Sequence, residues 1–451
     1  MCGIIGIKNE NVSYSIYTGL NAIQHRGQES CGIITEYNGK YYMKKDLGLV
    51  NKVFDERDLI DLSGNVGLGH VRYPTVGSDP KKNAQPFFTL DPKIAIVHNG
   101  NIVNYFQLRS ELKKEGRKIE SGCDVEVILH CLAEELKKTK DIEESVYNVM
   151  DRVKGSYSCL ALIDDKLVAF RDPYAIRPFV YGKGKGYAFA SESSALDMMN
   201  YTLERDLKPG ELMIVDGKIE SKTINKKGER HCMFEYVYFS RPDSVMEGKT
   251  VYDIRLNLGK NIDFDKDADI VIPVPDTSRP AALGFAEKNG IEYKEGLIKN
   301  RYTGRTFIMP TQKMRETAVK RNLNCIKSVI KDKKVVLVDD SIVRGTTSRR
   351  IVNMVRKAGA KEVHLVSSCP KLLHPCFYGI DFPCKEELIA RKDYKKLIGA
   401  DSVTYQSIDG LKKAIGIRGL CMACLNGEYV IEPSEEFALK RKKERVKMEV
   451  L

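Results

Sequence analysis

Short apolar runs separated by turn-forming residues dominate the first half of the chain: NVGLGHVRY at 65–73, KIAIVHNGN at 93–101, YSCLALIDD at 157–165 and YAFASES at 187–193. Runs of this length and composition predict strands. Apolar positions at helical spacing are confined to a few stretches, notably 11–25, 103–115 and 124–138. Residues 1–225 therefore predict stacked antiparallel sheets with helices outside, an α+β arrangement. A charged, turn-rich stretch at 216–231, which includes KKGER, predicts a linker, and the texture then changes. DIVIPVP at 269–275 leads into a helical run ending at Asn289 and Gly290. VVLVDD at 335–340 is followed by a helix through Lys357 with Gly359 as its cap, then by EVHLVSS at 362–368. Continuous apolar strands alternating with helices predict βαβ units and a buried parallel sheet, an α/β domain over 226–451. Two domains are also what 451 residues require, since one core rarely organises so long a chain.

Composition narrows the functional classes. No apolar run approaches the ~20 residues of a membrane helix, so no membrane span is expected. The net charge of +12 suits an anionic small substrate and equally nucleic acid. The densest basic run, KRKKERVK at 440–447, has no interleaved aromatic residues and reads as a solvated helix end or tail, so no nucleic-acid partner is expected. Twelve cysteines in a chain whose second and third residues are Cys2 and Gly3, with no leader, predict a reducing, cytoplasmic compartment. Most of them, such as Cys31, Cys131 and Cys159, read as small core residues.

Cys2 has a chemistry of its own. Removal of Met1 leaves a thiol and a free α-amino group on one residue, and an amine titrating near pH ~7.7–8.0 can serve as base for a thiol near ~8.5. Around it, MCGIIGI at 1–7, HRGQES at 25–30, GHVRYPTVG at 69–77, HNGNIVN at 98–104 and SGCDVEV at 121–127 resemble, in order, the class II glutamine amidotransferase domain, an N-terminal-nucleophile (Ntn) hydrolase with an αββα sandwich. The resemblance implies that Cys2 attacks the glutamine amide and that Asn99 and the Gly100 N–H form the oxyanion hole. It further implies that Arg72 binds the substrate α-carboxylate and Asp124 its ammonium. His70 and His98 read as hydrogen-bonded strand residues rather than bases, because the amine makes them unnecessary.

VVLVDDSIVRGTTS at 335–348 joins a buried strand to a helix through a hydroxyl-rich loop. Gly345 permits close backbone approach, Thr346, Thr347 and Ser348 offer hydroxyls, and the helix start favours a phosphate. Asp339 and Asp340 can bind two vicinal hydroxyls or face a hard metal ion. Neither a GK[ST] P-loop nor a Rossmann glycine spacing is present. The string resembles the ribose-5-phosphate motif of type I phosphoribosyltransferases. That implies ribose hydroxyls on Asp339 and Asp340 and the 5-phosphate on residues 344–348, Arg344 included. PVPDTSRPAA at 273–282 then resembles the pyrophosphate and Mg2+ region, with Thr277 beside the metal. KNRYTGRTFIMP at 299–310 resembles the family's closing loop, with Arg301, Tyr302 and Arg305 facing the pyrophosphate.

CMAC at 421–424 has a two-residue gap that lets both thiolates reach one metal centre, while Cys232 and Cys376 are distant singles. Structural zinc usually brings a second close pair, and scattered singles with one close pair also fit a [4Fe–4S] cluster. The strings CMFEYVYFSRPDS, HPCFYGID and CMAC resemble the iron–sulfur branch of the amidophosphoribosyltransferase family, which implies Cys232, Cys376, Cys421 and Cys424 as ligands. Cys369 and Cys384 lie close to Cys376 and are alternative second ligands. The resemblance spans nearly the whole chain. It implies that glutamine and phosphoribosylpyrophosphate yield 5-phosphoribosylamine, glutamate and pyrophosphate in purine synthesis, with purine nucleotides as inhibitors and a homotetrameric assembly. Two rivals are a glutaminase serving another acceptor and a non-catalytic purine-sensing regulator. The 335–348 motif disfavours the first, and retention of Cys2, Asp339 and Asp340 disfavours the second.

Overall fold

The computed structural model describes residues 2–73, 80–300, 323–382 and 384–439. The apolar runs of the first half form two antiparallel sheets laid face to face. The first has the order Thr202–Asp206, Val180–Lys183, Tyr187–Ala190, Gly3–Lys8, Val66–Arg72, Ser30–Tyr37, Lys40–Leu47. The second runs Lys218–Thr223, Glu211–Asp216, Lys166–Arg171, Gly155–Ile163, Lys93–Ile102, Phe87–Leu90.

Successive side chains of a strand point to opposite faces. Ile4, Leu68, Val97 and Leu160 accordingly fill the space between the sheets, whereas Ile5 and Ile7 pack with the helices Ser13–Ala22 and Ser193–Met198. On the other side, Ile94 and Ile96 meet the helices Asp124–Thr139 and Ile142–Arg152. Both faces of the central strands are covered, which is why they read as continuous apolar runs instead of alternating ones. The helices fall where the spacing places them, with 11–25 shortened to Ser13–Ala22 and a 3-10 turn at Gln24–Arg26.

The expected linker is shorter than 216–231. Gly217, at φ +71°, turns a hairpin, and Lys218–Thr223 forms the outermost strand of the second sheet. An exposed edge strand carries charge as a loop does, so composition does not separate the two. Only residues 224–230 lie outside regular structure.

The second half builds a five-stranded parallel sheet in the order Glu292–Tyr293, Ile270–Pro273, Lys334–Asp339, Glu362–Ser367, Ser402–Tyr405. Helix Arg279–Asn289 covers one face through Ala281, Ala282 and Phe285, and helix Thr346–Lys357 the other through Ile351, Val352 and Val355. The strand order reverses between Ile270–Pro273 and Lys334–Asp339, and in open parallel sheets ligands bind at the carboxyl ends beside that reversal. Among the described residues no helix is long and apolar enough to cross a membrane.

Two candidate sites and a cysteine cluster

Cys2 immediately precedes the strand Gly3–Lys8, whose pairing sets Gly3 opposite Val71 and so brings Cys2 to the sheet end that carries Arg72. Asn99 and Gly100 approach from the other sheet on Lys93–Ile102. The Cys2 N–H donates to Asn99 Oδ1 at 3.2 Å. Asn99 is fully buried, and its Nδ2 has no hydrogen-bond partner among the described residues. An unpaired buried donor costs roughly 1–3 kcal/mol, so one held beside a nucleophile is a donor in wait for an acceptor. Gly100 admits no side chain, because a Cβ would lie 1.9 Å from the Ser156 carbonyl oxygen of the adjacent strand.

Cys2, Arg72, Gly100 and Asp124 line one cavity, which Phe106 and Phe437 help to close. Asp124 opens the helix Asp124–Thr139 and accepts the Ile102 N–H at 3.1 Å. Arg72 is nearly buried and ion-paired with Glu29, so a substrate carboxylate would share its guanidinium. His70 and His98 are buried, and burial lowers both pKa values, favouring neutral rings; contrary to the expectation, neither ring hydrogen-bonds to a described residue.

Several residues of this site are not apparent from the sequence. Arg26 Nε donates to the Cys2 carbonyl at 3.0 Å. Gly27 lies so close to Arg72 that a Cβ would stand 2.5 Å from its backbone. Both belong to the HRGQES string, whose position in the motif series is their only signal. Cys123, whose signal is its place in the SGCDVEV string, and Phe437, with no sequence signal, line the same cavity.

At the second site, Asp339 ends its strand and Asp340 follows, with the Asp340 N–H donating to Asp339 Oδ1 at 3.0 Å and Ser341 Oγ donating to Asp340 Oδ1 at 2.7 Å. Burial, reinforced by the neighbouring carboxylate, pushes Asp339 well above the usual range, and burial pushes Asp340 up to about 6. Two buried acids held together in this way await cations or donors. Gly345 adopts φ +74° as the helix Thr346–Lys357 begins, and a Cβ there would meet Ile389 Cδ1 at 2.0 Å. Thr346 and Thr347 are exposed at the positive end of this helix, Ser348 is buried, and Arg344 Nε donates to Glu387 at 2.7 Å. Thr277 lies across the sheet reversal in a cavity lined also by Asp276, Arg255 and, from the first domain, His25. Arg301, Tyr302, Arg305 and the basic run 440–447 lie outside the described residues.

Cys232 and Cys421 are register partners in a two-residue parallel ladder. Cys424 follows on the short helix Ala423–Asn426, and its carbonyl accepts the N–H groups of Leu373 and His374 at 3.0 Å each, which draws in the segment carrying Cys376. Burial pushes the Cys421 thiol up to about 12 and raises those of Cys424 and Cys232, and the charges of the neighbouring cysteines add to each shift. Cys376 acts on all three; Cys369 acts on Cys424 more weakly than the other three cysteines do. The same segment docks on the first domain, where Asn101 Nδ2 donates to the Phe377 carbonyl and Ser156 Oγ to the Tyr378 carbonyl, both at 2.7 Å. Among the described residues no three His, Cys, Asp or Glu side chains converge tightly enough for a single metal ion.

An Ntn-type antiparallel sandwich with a thiol at its sheet end, fused to a parallel sheet with paired acids at its reversal, defines a glutamine amidotransferase coupled to a phosphoribosyltransferase. Residues 70–198 match the family described as glutamine amidotransferase domain, and residues 250–386 the one described as phosphoribosyl transferase domain. An amidophosphoribosyltransferase of Methanocaldococcus jannaschii is 47% identical over 98% of this chain and all of that one, and its Bacillus subtilis counterpart 41% identical over 99% and 97%. The solved structure of the B. subtilis glutamine phosphoribosylpyrophosphate amidotransferase complexed with ADP and GMP is 40% identical, covers 96% of this chain and 98% of its own, and superposes with a TM-score of 0.89. The chain belongs to the amidophosphoribosyltransferase family. It is an enzyme that transfers glutamine-derived nitrogen to phosphoribosylpyrophosphate, giving 5-phosphoribosylamine, glutamate and pyrophosphate in the first step of purine synthesis.

Proposed function

We propose that Cys2, freed of Met1, attacks the glutamine amide as its own α-amine takes the thiol proton, and that Asn99 Nδ2 and the Gly100 N–H hold the oxyanion that develops. The observation that carries this reading is the Asn99 amide, whose oxygen accepts the Cys2 N–H while its buried nitrogen has no partner among the described residues. Arg72 and Asp124 then hold the amino-acid end of the substrate through charge matching. The α-amine returns the proton to the amide nitrogen, which leaves the tetrahedral adduct as ammonia, and water hydrolyses the remaining glutamyl thioester to glutamate.

The released ammonia attacks the ribose C1 at the second site, where Asp339 and Asp340 hold the ribose hydroxyls and residues 344–348 the 5-phosphate. Arg301, Tyr302 and Arg305 would neutralise departing pyrophosphate. The pair Asp339 and Asp340, with Thr277, suits Mg2+, which keeps most of its waters, needs few protein ligands and would neutralise phosphate charge. A dry route is required because ammonia in neutral water is mostly protonated. Consecutive residues bridge the two sites: His25 lines the cavity with Thr277, and Arg26 touches Cys2.

Cys232, Cys376, Cys421 and Cys424 would hold a [4Fe–4S] cluster. The convergence of four cysteines from three separate segments supports it, and one cysteine per iron spreads ligands wider than a single ion does. Such a cluster would crosslink the C-terminal segment to the core, since no step needs electrons. Cytoplasmic residence, a homotetramer and purine-nucleotide inhibition complete the proposal, the last supported by the ADP and GMP of the B. subtilis structure.

Cys2→Ala tests the assignment. The variant is expected to lose glutamine-dependent formation of phosphoribosylamine and to retain formation from ammonium at alkaline pH. Undiminished synthesis from glutamine would overturn it.

A further inference from the structure

Helix Asp124–Thr139 is entered through a segment, residues 120–123, whose backbone amides are all held by side chains. Glu126 takes two of them directly: its Oε1 accepts the Glu120 N–H at 2.9 Å and its Oε2 the Ser121 N–H at 2.8 Å. The same Oε2 accepts Ser121 Oγ at 2.5 Å, and Ser121 Oγ in turn accepts the Cys123 N–H at 3.1 Å. The Gly122 N–H goes to Asn83 Oδ1 at 2.8 Å. Directly or through Ser121, Glu126 therefore gathers every amide of the segment except that of Gly122.

Helix capping alone does not account for this arrangement. A glutamate at the third helical position ordinarily reaches back to the amide of the capping residue. Here the capping residue is Cys123, whose amide is given to Ser121 Oγ, while the Glu126 carboxylate passes it and holds residues 120 and 121. Glu126 is buried and does not line the glutamine cavity, whereas Gly122, Cys123 and Asp124 do. Its charge is met by these donors and by the positive end of the helix. Asp124 is tied at a second point, because its Oδ2 accepts the Ile102 N–H at 3.1 Å from the strand that carries Asn99. The acid at the cavity wall is thus set between a strand on one hand and a segment folded around Glu126 on the other.

We propose that Glu126 is a positioning residue for glutamine recognition: by gathering the amides of residues 120–123 it fixes Asp124 where the substrate ammonium must lie. It acts through Asp124 and makes no contact with glutamine. An amide in its place offers one acceptor and one donor where the carboxylate offers two acceptors, so a buried N–H or the Ser121 hydroxyl loses its partner and the segment relaxes. Cys2 is placed by other means, the pairing of strand Gly3–Lys8 and the bond to Asn99, and keeps its position.

The inference rests on the reading of Cys2 and Asp124 above, and the test separates the two. Labelling of Cys2 is followed with 6-diazo-5-oxo-L-norleucine, an electrophile that carries the amino-acid end of glutamine, and with iodoacetamide, which lacks it. In the unaltered enzyme the glutamine analogue must label Cys2, and Asp124→Asn must slow that labelling; failure of either sinks the reading itself, whatever Glu126 does. Glu126→Gln is expected to lower the second-order rate constant for the glutamine analogue by roughly 10–100-fold, the cost of a displaced binding group, while alkylation by iodoacetamide and synthesis from ammonium stay within about twofold. In the double variant of Asp124→Asn and Glu126→Gln the second change should add nothing, because residues that act through one another are not additive. Equal slowing with both reagents, additive effects in the double variant, or unchanged labelling by the glutamine analogue would overturn the proposal. Should Glu126→Gln fail to fold, Ser121→Ala removes only the hydroxyl link and should slow the glutamine analogue alone; labelling of that variant at the unaltered rate overturns the positioning role.

Discussion

Asn99 carries a heavier share of the glutamine chemistry than its size suggests. Its amide oxygen accepts the Cys2 N–H, and in the proposed mechanism its unpartnered nitrogen would face the charge that the attack creates. Replacing it with alanine should lower kcat for glutamine hydrolysis by roughly 10²–10³-fold, the usual cost of one oxyanion donor. The KM should change little, since Arg72 and Asp124 are proposed to hold the substrate's other end. Steady-state kinetics with glutamine decide this, and a rise in KM at constant kcat would assign Asn99 to ground-state binding. At this scale the sequence was unevenly legible. Cys2, Asp339 and Asp340 stand in strings whose chemistry can be read locally, whereas Asn99 was legible only through the family resemblance. Arg26 and Glu235 lie 209 positions apart, and a bond that forms only when two domains meet leaves no mark on either local string. Glu29 was likewise hidden, because ion pairing of Arg72 depends on how adjacent strands are spaced.

At the scale of elements, the strands and helices that line the sites follow the apolar pattern closely, and the parallel sheet was legible because strands covered on both faces have nowhere to place polar residues. The edge strand Lys218–Thr223 was not, since an exposed edge carries a loop's composition. The junction of strand Thr202–Asp206 with the hairpin at Val245–Thr250 buries another feature that pattern does not reveal. Asp206 accepts the Glu247 N–H at 2.9 Å through one oxygen and has no partner for the other. Burial, then repulsion from Glu247, pushes its carboxyl up to about 7. The folded chain therefore holds this proton more tightly than the unfolded one, and stability is lost as pH rises from about 4 through 7. Asp206→Asn keeps an acceptor and removes that loss, so it should stabilise the protein at pH ~8 by on the order of 1–3 kcal/mol and by much less at pH ~5. Denaturation curves at both values check it, and an equal gain at the two would contradict the assignment.

Across the whole molecule, two chemistries are joined along a seam where buried residues of both halves share one core. His25 faces the phosphoribosyl side, Arg26 the nucleophile, and the Cys376 segment binds the strand that carries Asn99. The HPCFYGID string pointed to the cysteines; that it also buttresses the glutaminase sheet emerged only from the packing. This construction has a purpose if nitrogen passes from one site to the other without entering solvent. The most direct measurement supplies amide-15N glutamine and phosphoribosylpyrophosphate in a large excess of unlabelled ammonium, at a pH where ammonium alone reacts slowly, and determines the isotope in trapped phosphoribosylamine by mass spectrometry. Product bearing the glutamine label is the predicted result; product whose isotope matches the ammonium pool would contradict the account.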